Sequence, residues 1–374
     1  MPKRASPSPP AIPSVDPPVF RATPEGSARF AARFPDLVPG FYRPATFGVS
    51  MSSIGIGTYL GENSDDDDTA YHAAIRRAVS SGINVIDTAI NYRSQRSERA
   101  VGAAVQQLLA AGTVTREQLV ISSKGGYIPL DKTPPASREE YRSYVQREFV
   151  DQQILRPDEI VGGGHSLAPR FLRYCLAKSR QNLGLRTIDI YYVHNPGQSA
   201  TGGSSDELRA RLRPAFALLE EAAERGEIHV YGCATWDELR VGPDVRGHIE
   251  LEMLVHIAEE LAGDSHRFKV VQLPINLAMP EAVRLATQSI RGKPASALEA
   301  AAELGLTVIA SASLMQGQLT TGLPPALSDH FPNARTDAQR ALEFVRGIPG
   351  VTSALVGMKE LAHVDENMEV VRRR

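Results

Sequence analysis

Cysteine is nearly absent. The 374 residues carry only Cys175 and Cys233, far apart and without metal-type spacing. That excludes a disulfide framework and a cysteine-rich metal site, and it suits a reducing compartment, so a cytoplasmic location is expected. Long apolar runs are also missing. No stretch approaches the roughly 20 residues needed to cross a bilayer, and the N-terminus has no apolar signal core. Neither sign of charge is in excess, with a formal net charge of −2. No nucleic-acid partner and no membrane partner are expected from it. A last absence bears on fold: GIGTYLG (55–61) does not fit the G-x-G-x-x-G spacing that an open dinucleotide-binding sheet needs between its first strand and helix.

What is present is alternation. Residues 1–19 hold seven prolines and little to bury, and read as a disordered or polyproline-like arm. Residues 20–45 are a transition with one short helix around Ser27–Phe34, so 1–44 is taken as a largely disordered, proline-rich extension and 45–374 as one domain. A hairpin-like piece, FYRPATFGVSMS, leads to a strand ending at Gly55, Gly57, Thr58 and Tyr59. The acidic run Asp65–Asp68 opens a helix with Tyr71, Ile75, Ala78 and Val79 on one face, a better reading than a metal site.

Then come strand INVID, helix 97–110, strand 119–124, a long interruption at 125–166, helix 167–184 and the nearly all-apolar strand 187–194. The second half continues with helix 214–225, strand IHVYGCAT, helix 249–262, strand 269–276, helix 295–304, strand LTVIASAS, helix 336–346, strand 352–357 and a last helix at about 360–370. Eight strands alternating with eight helices predict an α/β fold, a (β/α)8 TIM barrel with a long insertion after strand three.

A barrel puts its chemistry at the carboxyl ends of its strands. Asp87 ends strand two with Tyr92 in its loop, Lys124 ends strand three, and His194 ends strand four. Four titratable groups on three consecutive strand ends converge on one mouth. A lysine near Tyr92 lowers the phenol pKa from its usual value of about 10, Asp87 keeps that lysine charged, and His194 orients a carbonyl oxygen.

These residues, with GIGTY (55–59), DTAINY (87–92), HVYGCATW (229–236), VVQLPIN (270–276) and VTSALVGMKELAHVDEN (351–367), resemble the aldo-keto reductase superfamily, in the family's order. The resemblance implies NADPH- or NADH-dependent reduction of aldehydes or ketones of small molecules without a metal, with Tyr92 as proton donor. It also implies a cofactor site. Gly57, Thr58 and Asp87 lie beside the nicotinamide and Gln272 holds its carboxamide. Ala234-Thr235 replaces the usual Ser-Asn pair, and Ser311 replaces the usual stacking aromatic. Leu314, Gln316 and Gly317 follow the pyrophosphate loop, and Gly357 opens the last cofactor segment. Glu366 and Asn367 read the adenine. Lys359 and His363 stand where basic residues meet the adenosine 2′-phosphate, with NADP favoured and NAD possible.

For substrate contacts, Tyr59 and Trp236 are candidates, although Trp236 suits ordinary packing as well. The insertion reads either as a lid bringing Tyr127 and His165 to the substrate or as a segment packed on the barrel's side with His165 solvated. Arg93, Arg96 and Arg99 read as a solvated face or as a greeting for an anionic substrate. Cys233, within a strand, suits no redox role. Two alternatives stay open: a lyase or aldolase forming a Schiff base on Lys124, and a nucleotide-binding, redox-sensing regulatory subunit. Oligomeric state is not legible.

Overall fold

The structure, a computed structural model, describes residues 19–131, 133–200 and 204–373. Eight parallel strands close into a barrel: β1 Ile54–Gly57, β2 Val85–Asp87, β3 Val120–Gly125, β4 Ile188–His194, β5 Ile228–Ala234, β6 Phe268–Pro274, β7 Thr307–Ser311 and β8 Val351–Gly357. Each pairs with its sequence neighbour, and β8 returns to β1. The register aligns the carboxyl ends: Gly57 faces Asp87, Lys124 faces Tyr192, His194 faces Ala234, and Ala234 faces Gln272.

The outer layer is α1 Asp65–Ser80, α2 Arg96–Ala110, α3 Pro169–Leu183, α4 Ser205–Glu224, α5 Leu251–Ala262, α6 Ala297–Glu303, α7 Asp337–Gly347 and α8 Leu361–Glu369. The start of α1 shows why the acidic run is helical. Ser64 Oγ accepts from Asp67 N at 3.2 Å, and four aspartates occupy the turn where the helix dipole favours negative charge. Tyr71, Ile75, Ala78 and Val79 are buried, as the periodicity requires. The sequence places the start of α4 at 214. The helix instead starts nine residues earlier and runs through Pro214, capped by Ser204. A short hairpin, Gln288–Ile290 with Lys293–Ala295, was not anticipated.

The amino-terminal segment departs most from expectation. Its helix is Pro24–Ala31, capped by Thr23, where Ser27–Phe34 was expected. Phe30, Leu37 and Phe41 belong to the main core between strands and helices. Ala22, Ala45, Val49 and Met51 share a cluster with the barrel-interior residues Val85, Val120, Ile190, Val230 and Val270. The chain from about 20 to 52 therefore closes the barrel floor, and a domain boundary at 45 cuts through this packing. The apolar residues that do this are sparse among charges, so no periodicity announces them. The expected disorder of 1–18 lies outside the described residues.

The insertion builds a small core of its own. Val145, Phe149 and Leu155 pack with Ile90 and with Phe171 and Cys175 of α3. Its body packs against α3 and the loop after β2.

Candidate active site

At the centre of the mouth Lys124 is fully buried. Its Nζ donates to Asp87 Oδ2 at 2.6 Å and to the Thr88 carbonyl at 2.9 Å. Asp87 is held from two further sides, Oδ1 accepting from Ser122 Oγ at 2.7 Å and from Gln272 Nε2 at 2.9 Å. Thr58 is fixed on the neighbouring strand end, its N–H and Oγ1 both donating to the Asp87 carbonyl at 3.1 Å. A buried charge pair is tolerated only with such satisfaction of its remaining sites.

The Tyr92 ring lies over this pair, its centroid 4.8 Å from Lys124 Nζ, and it meets Tyr59 edge-on at 5.0 Å and His194 at 5.9 Å. Lys124 was expected to lower the phenol's pKa; instead it stands well above its ordinary value. Burial is the first cause, followed by the Asp87 carboxylate. Asp87 already spends the lysine's charge, so the phenol faces a compact ion pair rather than a free cation. Tyr92 therefore keeps its proton, as a donor must. Burial also drives the Lys124 ammonium downward against Asp87. His194 is pushed well below its usual value by burial and by Lys124, so the ring is neutral and carries one N–H to donate.

Backbone strain collects around this mouth. Among the described residues nine other than glycine have positive φ, and seven flank the site: Arg93, Ser94 and Gln95 after Tyr92, Asn195 after His194, and Ala312, Met315 and Gln316 after β7. Each left-handed residue costs about 1–2 kcal/mol, and such residues persist where the surroundings over-determine them. Ser97 Oγ, donating to the Thr58 carbonyl at 2.7 Å, ties the turn after Tyr92 to β1.

These strand ends open on a cavity of about 680 Å³. It runs from Tyr59, Tyr92, Tyr127, His194 and Trp236 to Lys359 in the loop after β8 and to His363, Glu366 and Asn367 on α8, and every cofactor residue expected from the sequence lines it. Lys124 does not line the cavity; it lies behind Tyr92. His165 does not either. It is buried behind Tyr127, its Nε2–H donating to the His194 carbonyl at 2.7 Å, with the Tyr127 ring edge-on at 5.0 Å. The expectation that His165 touches substrate is therefore corrected: among the described residues of the insertion only Tyr127 lines the mouth. Asn91 and Asn195 line the cavity and were missed. Asn195 Nδ2 donates to Tyr127 Oη at 2.8 Å; the only sequence signal was its place between His194 and Pro196. Arg93 and Arg96 are paired with Asp68, both at 2.6 Å, and Arg99 with Asp131 at 2.8 Å.

The residues fit a nicotinamide dinucleotide. Along one cavity, buried polar atoms lack protein partners at His194 Nδ1, Asn91 Oδ1, Ser313 Oγ and Asn367 Oδ1. A buried polar atom without a partner is costly, and a polar ligand removes that cost. The α8 N-terminus has no side-chain cap, which leaves its N–H groups for an acceptor.

Comparison with known proteins agrees with this geometry. The model of the aldo/keto reductase family matches residues 53–323. The NADH-specific methylglyoxal reductase of Escherichia coli is 28% identical over 197 residues, 51% of each chain. A D-threo-aldose 1-dehydrogenase of Pseudomonas is 27% identical over 192 residues, 50% of this chain and 51% of that protein. The chain thus spans about half the length of the curated relatives it matches. A Klebsiella pneumoniae aldo/keto reductase crystallised with NADP and acetate superposes with a TM-score of 0.57 at 20% identity, covering 88% of this chain and 89% of that one. The holo form of a Bacillus halodurans aldo-keto reductase gives 0.58 at 16% identity, covering 89% and 91%. With the family model covering well over half of the sequence and the fold shared with solved members, the chain belongs to the aldo/keto reductase family.

Proposed function

We propose that this protein reduces the carbonyl group of small, uncharged aldehydes or ketones, with NADPH or NADH as reductant. The observation that carries the reading is the protonated Tyr92 over the buried Lys124–Asp87 pair, with neutral His194 beside it, and with Asp87, Tyr92 and His194 lining one cavity. The dinucleotide supplies the hydride. As that hydride reaches the carbonyl carbon, the C=O π pair moves onto oxygen, and the Tyr92 hydroxyl gives that oxygen its proton. Lys124 stabilises the phenolate left behind, Asp87 keeps the lysine charged, and the His194 N–H holds the oxygen in place.

The lining supports uncharged substrates. Around Tyr92 the wall offers Tyr59, Asn91, Tyr127, Asn195 and Trp236, while the nearby arginines are spent in ion pairs. A substrate carboxylate meets no free cation there, and a substrate hydroxyl meets the unpartnered Asn91 Oδ1. The Schiff-base alternative is disfavoured because Lys124 lies behind Tyr92 with its ammonium committed to Asp87 and Thr88. Two buried free thiols, both with pKa values pushed up by burial, suit the cytoplasm.

The test is a fluorescence titration with NADPH and NADH, followed by turnover of a panel of neutral and carboxylate-bearing aldehydes by wild type and Tyr92→Phe. Wild type binds a nucleotide and favours neutral aldehydes, and the variant binds equally well but turns over about 10²–10⁴-fold more slowly. Absence of binding, or an equally active Tyr92→Phe, would overturn the reading.

A further inference from the structure

The cavity wall contains one lysine and no arginine among its described residues, and that lysine is already engaged. Lys359, in the loop after β8, places Nζ 2.7 Å from Asp67 Oδ1. Asp67 belongs to the first turn of α1, so the pair spans the loops that leave β8 and β1. The carboxylate is not free to move. Its Oδ2 accepts from the backbone N–H of Glu62 at 2.5 Å, and its own N–H donates to Ser64 Oγ. Its side chain is 12% exposed, against 35% for Lys359. The other carboxylates lining this end, Glu360 and Glu366, add negative charge, and Glu366 accepts from Thr336 Oγ1 at 2.6 Å. The neighbouring Asp65 and Asp68 are neutralised by Arg93 and Arg96.

We infer that Asp67 is a selectivity residue for the nucleotide: by holding Lys359, the only lysine or arginine among the described residues lining the cavity, it shifts the balance away from NADPH and toward NADH. The inference rests on the nicotinamide reading of the cavity. A 2′-phosphate brings about −1.5 to −2 charges and needs a cation to receive it. To supply one, Lys359 must leave Asp67, and a fixed carboxylate then faces the phosphate with Glu360 and Glu366 nearby. A 2′-hydroxyl makes no such demand, since it can donate to a carboxylate and leave the ion pair intact. The competition is local and electrostatic, so it acts on the ratio of the two affinities rather than on the hydride-transfer end of the cavity.

The experiment is equilibrium binding of NADPH and NADH, followed by nucleotide fluorescence, to the full chain and to Asp67→Asn, Lys359→Met and the double variant. Asparagine keeps an acceptor for the Glu62 N–H and removes the charge. Asp67→Asn is expected to bind NADPH about three- to tenfold more tightly and NADH within about twofold of wild type. In the Lys359→Met background the same Asp67 substitution should change the NADPH to NADH ratio much less, because the contested cation is gone. An unchanged ratio in Asp67→Asn, or an equal gain with and without Lys359, overturns the role of Asp67 while leaving the cofactor reading intact. Failure of the wild type to bind either nucleotide overturns the cofactor reading, and the inference with it.

Discussion

Two lysine–aspartate pairs mark the two ends of the cavity, and they have nearly the same length. Lys124–Asp87 measures 2.6 Å with side chains 0% and 5% exposed, and Lys359–Asp67 measures 2.7 Å with 35% and 12%. Chemistry and distance match, so what separates them is water. In the first pair neither charge has water to turn to, and with Thr88, Ser122 and Gln272 holding it as well the pair is a fixed part of the barrel. In the second, solvent or a ligand phosphate can replace the carboxylate. A buried pair is worth most when it is never exchanged, and a rim pair when it can be.

The contrast is open to breaking. The largest effect belongs to Asp87→Asn, which strands a buried ammonium. Unfolding in denaturant should show a loss of about 3–5 kcal/mol along with loss of turnover, and a variant as stable as wild type would mean that Lys124 sheds its proton freely. Next comes acidification. The native His194 ring refuses a proton that the unfolded chain accepts, so stability present above about pH 6.5 is lost as the pH falls below it. In His194→Gln the dependence of unfolding free energy on pH below 6.5 should be shallower, by up to about 1.4 kcal/mol per pH unit. An identical slope would mean that the ring is hydrated and lies outside the dry centre. The smallest effect is expected for Lys359→Met, whose unfolding free energy should stay within about 1 kcal/mol of wild type. A loss as large as that of Asp87→Asn would erase the distinction between the two ends.

Much of this is legible in the sequence. Asp87, Lys124 and His194 are readable because they end three consecutive strands, and together they carry a weight that Asp87 alone does not. Closure into a barrel followed from counting alternations. What escaped detection depends on contacts between distant segments. Asp67 looked like one more acid in a helix start, and nothing local says that Lys359 arrives beside it. His165 was placed in the mouth because its loop is long, but its imidazole turns inward to the His194 carbonyl. Val49 and Met51 sit in stretches too irregular to show a period, yet they fill the floor of the barrel.

The sealing of that floor has a consequence in time. Val38 N donates to the Val371 carbonyl at 2.8 Å, and Arg373 N to the Asp36 carbonyl at 2.8 Å, so the amino-terminal segment is stitched to the last helix's exit. On the ribosome, at about 5–20 residues per second, the earlier half of each bond waits on the order of half a minute for its partner. Ala45, Val49 and Met51 must be shielded during that interval, before the barrel they close exists.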